Sequence, residues 1–159
     1  MRISIKVMYG AKAALELSLR YGSGPVIVHE IAEIHKISWS YLEHILATLK
    51  ISGLVISTRG AKGGYELTKA PSEITIGDIV RSLEGLFDVV PHTRAQDFGK
   101  VEGCVTFFVW KEVNEAIEKV LNSITLEEVA LQHRNNIMKN NSGKKRIKIH
   151  YDSMHALIL

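Results

Sequence analysis

Arg59 and Lys62 sit inside a glycine run, Arg59-Gly60-Ala61-Lys62-Gly63-Gly64, and upstream of them Ser38, Ser40, Tyr41 and His44 interrupt an otherwise apolar stretch. No acidic residue occurs from His44 to Tyr65, whereas His44, Lys50, Arg59 and Lys62 are basic or become so on protonation. Cationic and hydroxyl groups in an acid-free segment, next to glycines that leave the backbone accessible, suit a nucleic acid groove. The other reactive side chains are Cys104, the one cysteine of the chain, and His92. A thiolate and an imidazole suit zinc, copper or iron, or a thiol redox sensor. They lack the spacing of a metal motif, and a small buried hydrophobe is the plainer role for Cys104. No nucleophile-base-acid set, phosphate loop or metal-hydrolase spacing is present, so an enzyme is not expected.

Two elements must position the basic and polar groups. Leu42, Ile45, Leu46 and Leu49 recur at three- and four-residue steps, which predicts a helix from about Ile37 with one buried face. Ser38 or Ser40 can cap it, and Ser40 with Glu43 has the form of a capping box. Gly53 stops the helix. Leu54–Ser57 and Tyr65–Leu67 then read as two strands around the glycine loop. Upstream, Val28–Lys36 is short and amphipathic, and a turn at Lys36-Ile37-Ser38 joins it to the first helix described. Small Ala32 fits the close approach of two helices in a helix-turn-helix. Residues 5–21 form a first core helix with Val7, Met8, Ala11, Ala14, Leu15, Ser18 and Leu19 on its stripe, and Gly22-Ser23-Gly24-Pro25 breaks it. After the hairpin, Ile74–Leu86 restarts a helix with Thr75 and Asp78 at its amino end. Helix, helix, helix, hairpin, helix is a winged helix-turn-helix, mostly α with a small β-hairpin wing.

The chain has 159 residues, 46% of them hydrophobic and 23% charged, enough for one packed domain, or one domain plus an oligomerisation element. No apolar run approaches the roughly 20 residues of a membrane span and no signal-peptide core is visible, so a cytoplasmic protein without a membrane partner is expected. The net charge of +3 is unevenly spread. Residues 1–87 hold ten cations against eight anions, residues 88–132 four against eight, and residues 133–159 six against one. The acidic middle segment should avoid nucleic acid, and the flanking segments can approach it.

Three units follow from this: 1–87 as the winged helix-turn-helix, 88–132 as a long loop with a dimerisation helix, and 133–159 as a basic tail with no predicted structure. Residues 88–107 lose periodicity and contain Pro91. From Phe108 to Ile124, Trp110, Val113, Ile117, Val120, Leu121 and Ile124 form one stripe with no evident partner in so small a domain, so a second copy of the chain is expected to cover it. Thr125 and Glu128 make another capping-box candidate, opening a short last helix over Leu126–Gln132. The tail turns basic at Lys144-Lys145-Arg146 and apolar at Ala156–Leu159, a possible handle for a partner.

With these residues in place, the chain from Met1 to about Val129 resembles the Rrf-two family of bacterial winged-helix transcription regulators. The resemblance rests on MRISIKVMYGAKAALELS at the amino end, the Ile37–Leu49 helix, the wing Arg59–Tyr65, Ile76-Gly77-Asp78-Ile79 with Leu83-Glu84-Gly85, and Ser123-Ile124-Thr125-Leu126. It implies a homodimer held by the long helix, acting as a repressor on a palindromic double-stranded operator. By that analogy Ser38, Ser40, Tyr41 and His44 lie on the recognition surface, Arg59 enters a minor groove, and Lys62 with the amides of Gly60 and Gly63 contacts phosphates. Glu43 either accepts from a cytosine amine or serves the capping box. Cluster-binding members carry three cysteines before the dimer helix. Here Cys104 alone fits, His92 and Phe98 stand at the earlier positions, and Phe107 and Met8 stand where a fourth ligand is found. An iron-sulfur cluster is therefore not expected, and no cofactor is assigned. The signal is expected to be a small-molecule effector, a partner enzyme, or metal or redox chemistry at Cys104 and His92.

Overall fold

The computed structural model describes residues 3–60, 63–85 and 105–139. Helix α1, Ile5–Leu19, starts at Ser4, whose hydroxyl accepts from the Val7 amide at 3.2 Å. Its buried face carries Val7, Gly10, Ala13, Ala14, Leu17 and Ser18, so the helix is rotated from the expected stripe and Met8 is exposed. Small residues face inward because two later helices cross here. A Cβ on Gly10 would overlap Leu83 Cδ1.

Helix α2, Val28–His35, ends at Lys36 in the left-handed conformation with φ 54°. The Ile37 amide then donates to the Ala32 carbonyl at 3.0 Å, which forms the tight turn into α3, Trp39–Ile51. Ile31 and Ala32 of α2 are buried with Ile37 and with Leu42, Ile45, Leu46 and Leu49 of α3. This is the helix-turn-helix. The end of α2 is fastened to α1 by Glu16, which is only 6% exposed. His35 Nε2 lies 3.0 Å from Glu16 Oε1, and Arg20 stands 4.0 Å from the other carboxylate oxygen while pairing with Glu30 at 3.0 Å. A buried carboxylate needs such partners.

One expectation at the start of α3 is overturned. Ser38 is the capping residue but makes no side-chain cap bond, and Ser40 already lies inside the helix, so the Ser40–Glu43 box does not form. A box requires its first residue outside helical geometry. The other end is as the glycine suggested. Gly53 at φ +74° lets its amide reach the Lys50 carbonyl and the Leu54 amide reach the Leu49 carbonyl, both at 3.0 Å.

Strands β1, Val55–Thr58, and β2, Gly64–Leu67, pair antiparallel with Val55 opposite Leu67 and Thr58 opposite Gly64. Tyr65 also exchanges two 2.9 Å backbone bonds with Val26, which ties the wing to the segment before α2. Gly64 permits this approach, since a Cβ there would overlap the Val26 carbonyl. A short 3-10 turn at Pro71–Glu73 leads to α4, Ile76–Glu84, whose Ile79, Val80 and Leu83 join the core. The result is a winged helix-turn-helix, as read from the sequence.

Helix α5 spans Val105–Ser123, three residues longer at its start than the periodicity suggested. Helix α6 covers 126–139 and runs past the expected end at Gln132 into what the sequence reading gave to the tail. Leu126 and Ala130 of α6 are buried in the core, and the Thr125–Glu128 box forms, with bonds of 2.9 and 3.2 Å. His92 and Cys104 and the rest of 86–104, together with Ala61, Lys62 and the tail from 140, lie outside the described residues.

Candidate nucleic-acid interface

Because Leu42, Ile45, Leu46 and Leu49 of α3 point inward, the opposite side of the helix is turned to solvent. Ser38, Ser40, Tyr41, Glu43, His44 and Ala47 line one open cleft of about 630 Å³ on that side. Four residues named from the sequence, Ser38, Ser40, Tyr41 and His44, thus share a surface, joined by Glu43, whose carboxylate is not spent on a capping box. The cleft offers hydroxyls that donate or accept, an imidazole and a carboxylate, the set needed to distinguish base edges.

Tyr41 is partly committed elsewhere. Its ring packs edge-on against Tyr9 of α1, with centroids 6.1 Å apart, and Lys12 Nζ sits 5.7 Å from the Tyr9 centroid. This contact brings an ammonium from α1 to the flank of α3. Lys12 and Tyr9 were invisible as contributors in the sequence, because nothing in α1 marks which of its polar positions faces α3.

The wing stands beside the cleft. Arg59 is exposed and makes no ion pair among the described residues, and Gly60 adopts φ +115°. The Gly63 amide donates to the Gly60 carbonyl at 2.9 Å, which closes the wing turn. Lys62 lies outside the described residues. At the base of the wing, the Tyr65 hydroxyl is held above its ordinary pKa by burial and by the nearby Glu43 carboxylate. The wing and α3 therefore lie close enough to interact electrostatically. Lys50 at the end of α3 donates to the Ser57 hydroxyl at 2.5 Å and links the same two elements.

A family model described as Rrf2, iron-dependent transcriptional regulator, matches residues 3–132. The chain belongs to the Rrf2 family. It is similar to the transcriptional regulator CymR of Bacillus subtilis, 39% identical over 82% of this chain and 90% of that protein. It is also similar to the regulator IscR of Klebsiella pneumoniae, 37% identical over 81% of this chain and 79% of the relative. Among solved structures, IscR of T. potens superposes with a TM-score of 0.69 at 39% identity, covering 84% of this chain and 88% of that one. The B. subtilis CymR structure, described as the global cysteine regulator, gives 0.67 at 36%, covering 83% and 98%. This Rrf2 protein is accordingly a DNA-binding transcription regulator with the winged helix-turn-helix fold, and its relatives are regulators, not enzymes.

The family description includes iron, and the donor set of this member does not fit a cluster. Clusters are held chiefly by cysteine thiolates, and the chain has one cysteine. Among the described residues, no group of three or more His, Cys, Asp or Glu side chains is arranged to hold a metal ion. No described helix is long and apolar enough to cross a membrane.

Proposed function

We propose that this Rrf2 regulator acts as a homodimeric repressor of a palindromic operator and works without an iron-sulfur cluster. Each α3 lies in a major groove through Ser38, Ser40, Glu43 and His44, and each Arg59 reaches the adjoining minor groove. The observation that carries the reading is the exposed polar cleft on α3 beside a wing whose exposed Arg59 makes no ion pair among the described residues. Two recognition helices related by a twofold axis read half-sites about 10 base pairs apart or a multiple of that.

Helix α5 supports the dimer. Phe108, Val109, Trp110 and Val120 are exposed along it, Ile124 just beyond its end is exposed too, and Val113 and Ile117 are half-buried. So much apolar surface on one helix of a soluble regulator calls for a cover, and a second α5 matches it in length and character. An effector acting near 86–104, as a small molecule or a partner enzyme, would tilt one recognition unit against the other and weaken the match to the operator.

The test uses full-length protein purified without oxygen. Its metal content and visible spectrum are recorded, and the same sample selects from random duplex DNA. Metal-free protein that enriches a palindrome supports the proposal. Binding that requires stoichiometric iron overturns the cluster-free part, and enrichment of no sequence overturns the operator itself.

A further inference from the structure

Trp39 is the first residue of α3, yet it takes no part in the hydrophobic core and is 50% exposed. Its indole lies on the imidazole of His29, from the first turn of α2, with ring centroids 5.4 Å apart and planes inclined by 19°. The stack holds one face of the indole and leaves the remainder to solvent at the amino end of α3, and its chain neighbours Ser38 and Ser40 both line the cleft. In a helix-turn-helix, the amino-terminal residues of the second helix are those that meet base edges.

The chemistry of the ring narrows what it can meet there. Indole offers one N–H and no acceptor, so it cannot make the paired hydrogen bonds that identify guanine or adenine. It does offer a large, flat apolar surface. The apolar group displayed in the major groove of B-form DNA is the 5-methyl of thymine. We infer that Trp39 packs against a thymine methyl in each half-site and that His29 is the positioning residue that holds it there. This rests on α3 being the recognition helix and adds a specificity contact to it.

The experiment takes the operator selected by the full chain and replaces each symmetry-related thymine pair in turn with deoxyuridine, which removes the methyl and leaves base pairing intact. For the wild-type chain, one pair should weaken binding about fourfold per half-site, or roughly fifteenfold together, the factor expected for burying one methyl group at each. Trp39→Ala should bind thymine and uracil operators equally at that pair. His29→Ala should lower the thymine-to-uracil ratio while the protein melts as before. Arg59→Ala should bind more weakly but keep the wild-type ratio. Wild-type binding that is insensitive to every thymine methyl, or a Trp39→Ala protein with the full ratio, overturns the inference and leaves the DNA-binding reading standing. A chain that enriches no duplex overturns both.

Discussion

Thr75 faces Thr125 across an isolated antiparallel bridge, and each threonine caps the helix that follows it. The Ile76 amide donates to the Ile124 carbonyl and the Leu126 amide to the Ile74 carbonyl, both at 2.9 Å. Arg81 of α4 adds a 2.8 Å bond to Asn122 at the end of α5, and Gly77 leaves room for that asparagine. The end of the α5 helix is thereby fastened to α4, which packs in turn against α1 and α3.

Each cap has a measurable worth. Thr75→Ala and Thr125→Ala should each lower unfolding stability by about 1 kcal/mol. Their effects should not sum when combined, because the two residues share one bridge. Urea titration of the two single variants and the double variant checks both statements.

Asp78 makes stability depend on acid. Burial alone would raise its pKa, but bonds from the Thr75 amide, from Arg81 and from the Thr75 hydroxyl outweigh burial and hold it below the ordinary 3.8. Stabilisation from this group is complete above that value and is lost as pH falls through the lowered native value. Asp78→Asn should therefore show a smaller loss of stability between pH 5 and 2 than the wild type in thermal melts, where these pH limits are about a unit or more either side of the unfolded value.

Arg59 is exposed and makes no ion pair among the described residues, so Arg59→Ala should leave the melting temperature unchanged. Operator affinity should fall by about tenfold or more per dimer, in line with roughly 1 to 3 kcal/mol for a groove-reading arginine. Titration at fixed salt reads the loss, and unchanged affinity removes the wing from the interface.

A charge on the apolar face of α5 should separate folding from assembly. Val120→Glu places a carboxylate on an exposed residue and should yield a folded monomer by sedimentation. Its operator affinity should drop by about a hundredfold or more, since linked half-sites lose their mutual effective concentration. A dimer that survives this substitution assigns the interface elsewhere.

Gly10 lies where α1 meets α3 and α4. Gly10→Val should destabilise the fold by roughly 1 to 3 kcal/mol through overpacking against Leu83 and Ile45, measured by chemical denaturation, with a matching loss on heating.

Much of this architecture was legible in the sequence, for physical reasons that differ between elements. The inward face of α3 was readable because its leucines and isoleucines repeat with the helical period, and the wing because glycines and a basic loop separate two short β-prone runs. The stripe of α1 was misread because glycine and alanine carry no hydrophobic signal strong enough to mark a face. Ser40 was misplaced because two serines one residue apart, Ser38 and Ser40, offer the same capping chemistry, and only backbone geometry decides between them. The pairs Glu16–His35 and His29–Trp39, like the Tyr9–Tyr41 contact, join residues of different helices. No local pattern announces them; they follow from how α1, α2 and α3 cross.

The Val26–Tyr65 bridge divides the wing into two parts with different freedom to vary. At its base, Gly64 cannot accept a side chain without pushing the Val26 carbonyl away, so a change there would release the hairpin from the helix-turn-helix. Arg59, at the edge of the loop, makes no such tether to another element among the described residues. A lineage could exchange the loop tip residue by residue and so retune which flanking sequence the protein prefers, while the distance between its two reading heads stays constant.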